Sequence, residues 1–518
     1  MFSNFLENIA ENLTTGMYKN SQVIFREYIQ NSCDAIDKAV ELGILQPEEG
    51  QIEIWTDLYA RNISIEDNGT GITKAEFENI LKSIAQSNKQ IDSEKGFRGI
   101  GRLCGLAYCK ELIFSSTVKG EDCTSIMKID AQKLRSRFYS NKKFTAEEVL
   151  NDVITIKEES AEIEDHAFKV ELININVEND TLLDEEKVKD YLSFVAPVEY
   201  SNRLLFQTMI YKHAETLNFK IDEYKIKLNG KELVKQYKTH FKTSQGEDEI
   251  FDLAFKDFYD ESGNLIAWLW FGLSSFKGVI ESSNKNPNNR MRSIRLRKDN
   301  IQIGNEDALQ HLFKEDRGIH YFIGEVFAVD KNLIPNSQRN YFIENPVRKY
   351  FEDELKIYFE ELYKIYYRAS EINSANKAIE KRKTFSEEFE RKQQNNLFLK
   401  EEHMTKDKLE LEKLDKVATI KNDLIERRRE EALADPENNL SKVIVRLTVK
   451  KEFKPEPPAP ITPIKPKIKN NKLKYRSQNL SKLDKRQQKL VQTIYDVIDN
   501  NPNLSGEKLI DKIEEALR

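Results

Sequence analysis

Three side chains that could bind a metal ion and a water molecule lie in one short segment near the start of the chain. Glu27, Asn31 and Asp34 are spaced at i, i+4 and i+7 within Phe25–Lys38, a stretch without glycine or proline. In an α-helix this spacing places an acid, an amide and a second acid on one face, along roughly two turns. Such a row suits a divalent metal ion and a water, although an ordinary solvated helix face has the same composition.

A second segment combines the pattern of a β-strand with a turn that contains glycines. Apolar and polar residues alternate over Ile63–Glu66, and Asp67 is followed closely by Gly69 and Gly71. An aspartate at the end of a strand can accept a hydrogen bond from the exocyclic amine of a base, and glycines leave room for a flat ring. The segment predicts a pocket for a planar base, and the alternative is that it forms only a turn.

A third segment has the glycine spacing of a phosphate-binding loop. Gly96, Gly99 and Gly101 precede the apolar stretch Leu103–Cys109, which we expect to be helical. Backbone N–H groups at a junction between a loop and a helix can bind phosphate oxygens. Glycine loops of this kind occur in many proteins, but the three segments in this order and this close together predict one nucleotide-binding site.

The elements that would position these residues form an α/β sandwich. The predicted helix over Phe25–Lys38 has an apolar stripe at helical spacing, and we expect another helix near Phe2–Leu13. The stripe consists of Phe25, Tyr28, Ile29, Ser32 and Ile36. Strand-like runs occur at Gln51–Thr56, Ile63–Glu66, Glu111–Ser116, Thr124–Ile129 and Phe168–Ile175. Strands interleaved with helices predict a sheet behind the site, in a domain over residues 1–180.

The three segments together resemble the N-terminal motifs of GHKL-type ATPases. This superfamily includes gyrase, heat-shock chaperones, histidine kinases and MutL, and its nucleotide-binding α/β sandwich is often called the Bergerat fold. The resemblance is strongest to the ninety-kilodalton heat-shock chaperones, through the runs FREYIQNSCDAIDK, DNGTGI, SIAQSNKQ and GFRGIG. MutL and the MORC ATPases share the same set of motifs, and the run GFRG is especially similar to MutL.

The resemblance implies a Mg²⁺-dependent ATPase that forms ADP and phosphate, with a role for each matching residue. Glu27 would be the general base that aligns the attacking water, Asn31 would be the Mg²⁺ ligand, and Asp67 would bind the adenine amine. Ser83–Lys95 would form a mobile lid. The other residues implied in ATP binding are Asp34, Gly69, Gly71, Ile72, Gly96, Phe97, Arg98, Gly99, Ile100 and Gly101.

One position departs from the GHKL pattern. These families usually have a Gly-Thr pair before a late strand of the domain, and the threonine supports the adenine through a water molecule. His166-Ala167-Phe168 stands before the corresponding strand in this chain. The sequence therefore leaves the far wall of the adenine pocket undefined.

A second α/β domain is expected over residues 181–360. The succession of Ser293–Ile303, Ile319–Val329 and Leu333–Arg339 resembles the chaperones' middle, or transducer, domain, whose loop carries an arginine to the γ-phosphate. The resemblance makes Arg339 the candidate, and a surface arginine paired with an acid is the alternative. Lys298 and Lys331 are the other candidates, because related ATPases use a lysine for this role.

The last third of the chain is more polar than the rest. We expect a charged helical or coiled-coil segment over residues 361–435, a Pro-rich basic linker over 436–477 and a small helical module over 478–518. A short heptad pattern suits a coiled coil, and a charged helix folded back on its own domain is the alternative. The heptad positions are Leu411, Leu414, Ala418, Lys421 and Ile425. Lys465–Lys489 contains ten Lys and Arg against one acid, which suits either nucleic acid or a solubilising linker.

Composition limits the class of protein and its compartment. The 518 residues are enough for two or three domains, and 32% of them are charged. The four cysteines have no metal-type spacing and indicate reduced thiols, so we expect a cytoplasmic protein. The first residues lack the features of a signal peptide. The most apolar run, Leu265–Leu273, is too short to span a membrane and predicts a buried strand.

These features together favour an ATP-driven clamp that closes by homodimerisation on a nucleic-acid or nucleoprotein partner, in the manner of MORC or MutL. The alternative is a chaperone-like ATPase that remodels protein clients, which the closer motif match supports. None of the six histidines has the sequence context of a phospho-acceptor, so a sensor kinase is not expected. The metal-binding signature of MutL endonucleases is also absent from the sequence.

Overall fold

A computed structural model describes residues 20–82, 101–138, 148, 152–281, 290–336, 338–395, 397–398, 400–449, 483–500 and 512. The chain divides into two units, Met1–Tyr363 and Lys364–Arg518. Several predicted features lie outside the described residues, namely the helix Phe2–Leu13, the lid Ser83–Lys95, residues Gly96 to Ile100 of the phosphate loop and most of the basic segment Lys465–Lys489.

The helices of the described residues are numbered in chain order. They are α1 (Val23–Glu41), α2 (Lys74–Lys82), α3 (Ala131–Phe138), α4 (Glu185–Val195), α5 (Gln207–Thr216), α6 (Pro346–Gln394), α7 (Glu401–Leu433), α8 (Asn439–Val449) and α9 (Lys485–Asn500). Short 3₁₀ helices occupy Gly101–Ala107, Val177–Leu182, Gln310–Leu312 and Asp316–Tyr321. Among the described helices, none is both long enough and apolar enough to cross a membrane.

The strands fall into three sheets. They are β1 (Gln51–Asp57), β2 (Asn62–Asp67), β3 (Cys109–Thr117), β4 (Cys123–Asp130), β5 (Ile154–Ser160), β6 (Ala167–Ile175), β7 (Lys225–Leu228), β8 (Lys231–Glu232), β9 (His240–Thr243), β10 (Gly246–Glu249), β11 (Asp252–Tyr259), β12 (Leu265–Leu273), β13 (Ser293–Lys298), β14 (Ile301–Ile303) and β15 (Ile323–Ala328). The structure confirms the five strands predicted before residue 180 and the buried strand β12, because each predicted run lies within or overlaps an observed strand.

The first sheet has eight strands in the order β5-β4-β3-β6-β2-β1-β7-β8. Neighbouring strands are antiparallel except β1 and β7, which are parallel. The sheet takes β7 and β8 from beyond residue 180, where the sequence places the end of the first domain. It also contains β5, whose residues are almost all exposed and which the alternation of apolar residues did not predict.

Helix α1 packs on the face of this sheet that carries Ile63, Ile65 and Asp67 of β2, the residues that are buried along that strand. The five residues of the predicted apolar stripe are all at most 4% exposed, which confirms the predicted helix and its buried face. The predicted helix Leu103–Cys109 is wrong in type and in its end. The chain forms a 3₁₀ helix that ends at Ala107, because Cys109 is already the first residue of β3.

The second large sheet has the order β11-β12-β15-β13-β14. Its interior contains a buried ion cluster around Glu325 of β15, which accepts hydrogen bonds from Arg297, Lys235, Tyr200 and Tyr237. Burial opposes the ionisation of Glu325, but the cations of Arg297 and Lys235 outweigh it and hold the pKa of Glu325 well below its usual range. The cluster therefore keeps a buried carboxylate charged and paired.

The same cluster connects the second sheet to α4. Arg297 Nη2 donates to the carbonyl oxygen of Phe194 at 2.7 Å, near the C-terminal end of α4. Val188 and Leu192 of α4 belong to the core of the first sheet, whereas Phe194 belongs to the core of the second. Helix α4 is thus shared by two cores, and its packing fixes the position of the second sheet relative to α1.

The loop after β15 brings residue 339 back toward α1. Asn336 N donates to the carbonyl oxygen of Tyr341 at 2.8 Å, and Arg339 N donates to that of Asn336 at 2.9 Å. Arg339 has a φ of 50°, in the left-handed region that L-residues seldom adopt. Its carbonyl oxygen accepts a hydrogen bond from Gly304 N at 2.8 Å. These contacts define a tight turn with Arg339 at its apex.

In the second unit, α7 is joined to the C-terminal part of α6 by ion pairs. Arg428 lies 3.3 Å from Glu371, and Lys392 lies 3.3 Å from Asp407. Ala418 and Ile425, two of the predicted heptad positions, are buried on α7. Helix α7 therefore folds back on α6 of the same chain. Helix α8 lies within residues 436–477, the range that the sequence assigns to a linker.

Candidate functional site

The carboxylate of Glu27 and the guanidinium of Arg339 meet where α1 faces the loop after β15. Arg339 Nε lies 3.5 Å from Glu27 Oε1, which is an ion-pair distance. Glu27 is 9% exposed and Arg339 is 7% exposed. Because little water reaches either group, their attraction is screened less than that of a surface pair. The arrangement places a cation beside an acid that can accept a proton.

Arg26 holds the backbone of the same loop. Its Nη1 donates to the carbonyl oxygen of Arg339 at 3.4 Å, and its Nη2 donates to that of Gln338 at 3.2 Å. Arg26 Nη2 also lies 3.5 Å from Glu27 Oε1. A planar guanidinium can make two such contacts at once, so Arg26 connects α1 to the loop while it flanks the carboxylate.

Tyr28 joins α1 to the 3₁₀ helix that follows the predicted phosphate loop. Its hydroxyl donates to the carbonyl oxygen of Arg102 at 3.1 Å and accepts from Gly105 N at 3.1 Å. Burial is the largest of the effects that raise the pKa of Tyr28, so the hydroxyl keeps its proton and can serve as donor and acceptor. A Cβ atom at Gly105 would lie 2.6 Å from the Tyr28 hydroxyl oxygen, so this close approach needs glycine.

Asp67 is a buried carboxyl group at the end of β2. It is 2% exposed, and its Oδ1 accepts a hydrogen bond from Gly69 N at 3.0 Å. Burial raises the pKa of Asp67 to about 7, and hydrogen bonds from Ser32 and Gly69 oppose that rise only in part. A buried carboxyl with so few partners is suited to accept a hydrogen bond from a ligand.

The two glycines of the turn after β2 lie against neighbouring backbone. A Cβ atom at Gly69 would lie 2.6 Å from the Cβ of Ala35 on α1. Gly71 has a φ of 65°, and a Cβ there would clash with the carbonyl oxygen of Thr117. Ser116 fixes the following residue, because its Oγ accepts from Ile72 N at 2.6 Å and donates to Ile72 O at 3.0 Å. The turn is held close to α1 and β3 on both sides.

The structure brings together most of the predicted site residues that it describes. Asn31 and Asp34 are half-buried on α1, and Asp67, Gly69, Gly71 and Ile72 form the adjoining turn. Gly101 begins the 3₁₀ helix, while Gly96, Phe97, Arg98, Gly99 and Ile100 lie outside the described residues. Lys298 donates to the carbonyl oxygens of Val329 and Asp330 at 3.1 and 2.9 Å, so it contacts backbone of the second sheet. Lys331 is exposed.

Sequence reasoning did not assign site roles to Arg26, Tyr28, Ser116 and His166. Arg26 stands directly before Glu27, and a charged residue within a predicted buried face is a signal that could have been followed. His166 Nδ1 lies 3.0 Å from the carbonyl oxygen of Gly69. Nothing local in the sequence indicates that contact, because strand pairing brings the two residues together.

The chemistry of Glu27 and Asn31 fits ATP with Mg²⁺. Glu27 Oε1 is buried and accepts no hydrogen bond within the part of the chain that the structure describes, which suits an acceptor for a water proton. No group of three His, Cys, Asp or Glu side chains in the described ranges could hold a metal ion. Asn31, which is half-buried on α1, would supply an amide oxygen to the metal ion.

Comparisons with known proteins find similarity in the first part of the chain. Residues 18–161 match the family model described as histidine kinase-, DNA gyrase B- and HSP90-like ATPase. The chaperone protein HtpG of Geobacter metallireducens is 34% identical over 92 residues, which cover 17% of this chain and 14% of that protein. HtpG of Alkaliphilus metalliredigens is 31% identical over 123 residues, which cover 22% and 20% of the two chains.

A mitochondrial plant protein gives the same result. Heat shock protein 90-6 of Arabidopsis thaliana is 30% identical over 111 residues, which cover 19% of this chain and 14% of that protein. The chain thus matches at most a fifth of the length of these three relatives. The range of the family model includes the helix that carries Glu27 and the strand end and turn that carry Asp67. Residues 18–161 are therefore a domain of the histidine kinase-, DNA gyrase B- and HSP90-like ATPase family, the GHKL superfamily.

Proposed function

We propose that this chain binds ATP with Mg²⁺ and hydrolyses it to ADP and phosphate at the site on α1. The observation that carries the proposal is the contact of Arg339 with Glu27 on α1. Ala35, a later residue of the same helix, lies against the turn that follows Asp67. Asp67 accepts a hydrogen bond from the adenine amine, and Asn31 contributes to Mg²⁺ binding. The metal ion, when bound, neutralises phosphate charge.

Glu27 and Arg339 have complementary roles in this proposal. Glu27 orients the attacking water and accepts its proton, and its buried Oε1 has no competing hydrogen bond in the described chain. Arg339 offsets the negative charge that develops on the γ-phosphate during transfer. Arg26 holds the carbonyl groups of Gln338 and Arg339, so it keeps the loop in position beside α1.

Turnover is thereby coupled to the position of the loop after β15. Glu27 belongs to the helix on the first sheet, whereas Arg339 follows the last strand of the second sheet. Hydrolysis needs both side chains at one phosphate, so any motion of the second sheet relative to α1 changes the rate. This coupling is what an ATP-driven conformational cycle requires.

We further propose that the cycle remodels protein clients and includes an ATP-dependent homodimer. The similarity to HtpG and to heat shock protein 90-6 supports this alternative better than the nucleic-acid clamp that the sequence analysis favours. The support for a nucleic-acid partner is the basic composition of Lys465–Lys489 alone. That segment carries ten Lys and Arg against one acid, so the clamp stays the second candidate.

The first experiment measures ATP turnover by the full-length protein and by Glu27→Ala. The wild type is expected to release phosphate, and Glu27→Ala is expected to bind ATP without turnover. Sedimentation of Glu27→Ala with ATP and Mg²⁺ then tests the dimer. Absence of ATP binding by the wild type would contradict the proposed ATPase, and a monomer under all conditions would contradict the dimer.

The partner is tested by adding one probe of each class to the turnover assay. Reduced, carboxymethylated α-lactalbumin serves as an unfolded protein, and a duplex oligonucleotide at low salt serves as the nucleic acid. We expect the unfolded protein to change the rate and the duplex to leave it unaltered. The reverse result would favour the nucleic-acid clamp and would contradict the chaperone-like role.

A further inference from the structure

A row of three side chains crosses the first sheet beside the predicted base pocket. Phe168 of β6 is paired directly with Asp67 of β2 and with Ser116 of β3. Directly opposed residues in antiparallel strands project to the same face, so the three side chains lie side by side on the face covered by α1. Phe168 therefore stands between the carboxyl that is proposed to bind the amine and the hydroxyl that holds Ile72.

Phe168 differs from its neighbours in the row by retaining exposed surface. Asp67 and Ser116 are each 2% exposed, whereas Phe168 is only partly buried. Its ring packs against that of Phe114 beneath it, with the two centroids 6.1 Å apart and an interplanar angle of 27°. The ring is thus supported from one side and keeps apolar surface on the other, next to two polar groups.

His166 contacts the backbone of Gly69, in the turn that follows Asp67. Its Nδ1 lies 3.0 Å from Gly69 O, and since a carbonyl oxygen only accepts, Nδ1 carries the proton in this contact. The N–H of the same glycine donates to Asp67. Both backbone polar groups of Gly69 are therefore fixed by side chains, one from β2 and one from the residue just before β6.

We propose that His166 and Phe168 form the second wall of the base pocket, with Phe168 as the apolar surface that contacts the purine ring and His166 as a positioning residue for Gly69. The inference rests on the proposed ATP binding and deepens it. The start of β6 carries no hydroxyl or amide side chain at the position opposite Asp67. This wall therefore recognises the ring by contact, and Asp67 alone selects the exocyclic amine.

Two nucleotides distinguish a direct contact between Phe168 and the purine ring from an indirect effect on Asp67. ATP has the 6-amino group, and purine riboside triphosphate lacks it but keeps the ring and the phosphates. Dissociation constants are measured for both nucleotides on the full-length chain with the Glu27→Ala background, which prevents turnover. Phe168→Ser is expected to raise the dissociation constants of both nucleotides by the same factor, about tenfold, as for a lost contact between a base and an aromatic ring.

Phe168→Leu keeps an apolar side chain at the middle position of the row, between Asp67 and Ser116. We expect this variant to raise both dissociation constants about threefold, because it loses the face of the aromatic ring but keeps an apolar contact. Lys169→Ser is the matched control. Lys169 is the next residue on β6, projects to the opposite face and pairs with Glu171 at 3.1 Å, so its substitution is expected to leave both constants unchanged.

His166 is tested by loss and rescue. His166→Ala is expected to raise the dissociation constant for ATP about fivefold, an estimate for one lost hydrogen bond. His166→Asn is expected to restore binding, because the asparagine amide nitrogen occupies a place similar to Nδ1 and can donate to Gly69 O. Equal effects of Ala and Asn would overturn the positioning role.

The outcomes distinguish this inference from the proposed function. If ATP binds and neither Phe168 variant changes the dissociation constants, the wall is wrong and the ATPase stands. If Phe168→Ser weakens the binding of ATP but not that of purine riboside triphosphate, Phe168 acts only through Asp67, and its contact with the purine ring is excluded. If the chain binds neither nucleotide while it is folded by circular dichroism, both proposals fail together.

Discussion

Arg339 Nε lies 3.5 Å from Glu27 Oε1, so the arginine at the apex of the loop after β15 faces the acid on α1. Glu27 lies on the helix that packs on the first sheet, and Arg339 lies in the loop that follows the last strand of the second sheet. Arg26 secures the contact by donating to the carbonyl oxygens of Gln338 and Arg339. A proton acceptor and a phosphate-binding cation are thus held in one place by contacts that span the unit. This relationship gives the site its most direct tests.

Removal of either charged partner should stop catalysis and spare binding. For Glu27→Ala we expect turnover to fall by at least about 100-fold, because a positioned general base contributes that much, with the ATP dissociation constant nearly unchanged. Arg339→Ala should lower kcat by a similar factor. Arg317→Ala is the control, since Arg317 is exposed and pairs with Glu315 on the surface of the same unit. Wild-type turnover by Glu27→Ala would show that another group is the base.

Arg26 should affect the rate through the loop. Arg26→Ala removes both contacts with the loop carbonyls, so kcat is expected to fall about tenfold while ATP binds as before. Arg61→Ala is a matched control, because Arg61 also donates to two carbonyl oxygens, those of Ile175 and Asn176. Arg61 lies just before β2, at the end of that strand opposite to Asp67. Equal losses of kcat in the two variants would indicate general destabilisation instead.

Asp67 should reduce stability in a way that depends on pH. Burial raises its pKa in the folded chain from an ordinary 3.8 to about 7. Below about pH 4 the group is neutral in both the folded and unfolded states, and above about pH 7 the folded state bears the full cost of a buried charge. Stability from this group is therefore lost as the pH rises from about 4 to 7.

Asp67→Asn removes that charge and should raise the midpoint of thermal unfolding more at pH 8 than at pH 5. The upper limit of the gain is about 4 kcal/mol, at about 1.36 kcal/mol for each pKa unit. The variant should also lose ATP binding, since an amide cannot replace the carboxylate as acceptor for the amine without offering its own donors. The measurement is thermal unfolding of both proteins at the two pH values. A stability difference that does not change with pH would contradict the raised pKa.

Gly71 should tolerate no side chain, for steric reasons. Gly71→Ala places a Cβ against the carbonyl oxygen of Thr117 in a residue with a φ of 65°, so the turn must move. We expect a loss of roughly 2 kcal/mol or more of stability together with weaker ATP binding. Gly43→Ala is the control, because Gly43 has a φ of 69° but nothing within 4 Å of the added Cβ. Gly43→Ala therefore shows the cost of placing alanine at a positive φ without a steric clash, roughly 1 kcal/mol. Chemical denaturation measures the free energy of unfolding of both variants.

The buried carboxylate of Glu325 should be the most sensitive position of the second sheet. Glu325→Gln leaves Arg297 and Lys235 buried without their counter-charge, for an expected loss of roughly 3 to 5 kcal/mol of unfolding free energy. Glu185→Gln removes the surface pair with Lys231 and should have little effect. Similar unfolding midpoints in urea for the two variants would show that the buried cluster does not stabilise the fold.

Local patterns in the sequence were enough to place the elements that carry the site. The spacing of Phe25, Tyr28 and Ile36 predicts the buried face of α1, and alternation predicts the strands of the first sheet before residue 180, except β5. Strand β5 has no apolar alternation because it is an edge strand exposed along its length. The type of the helix after the glycine loop could not be predicted, since the early start of β3 limits it to a 3₁₀ turn.

The sequence by itself determined which residues could do chemistry: the acid, amide and acid on one helix face, the aspartate before two glycines, and the resemblance to GHKL ATPases. Only the tertiary structure decided which of them meet. Residue 339 reaches Glu27, and His166 reaches Gly69, through strand pairing and the packing of α4 between two cores. Local periodicity reports the face that a segment buries, but contacts between distant segments depend on register and on side chains that are not neighbours in sequence.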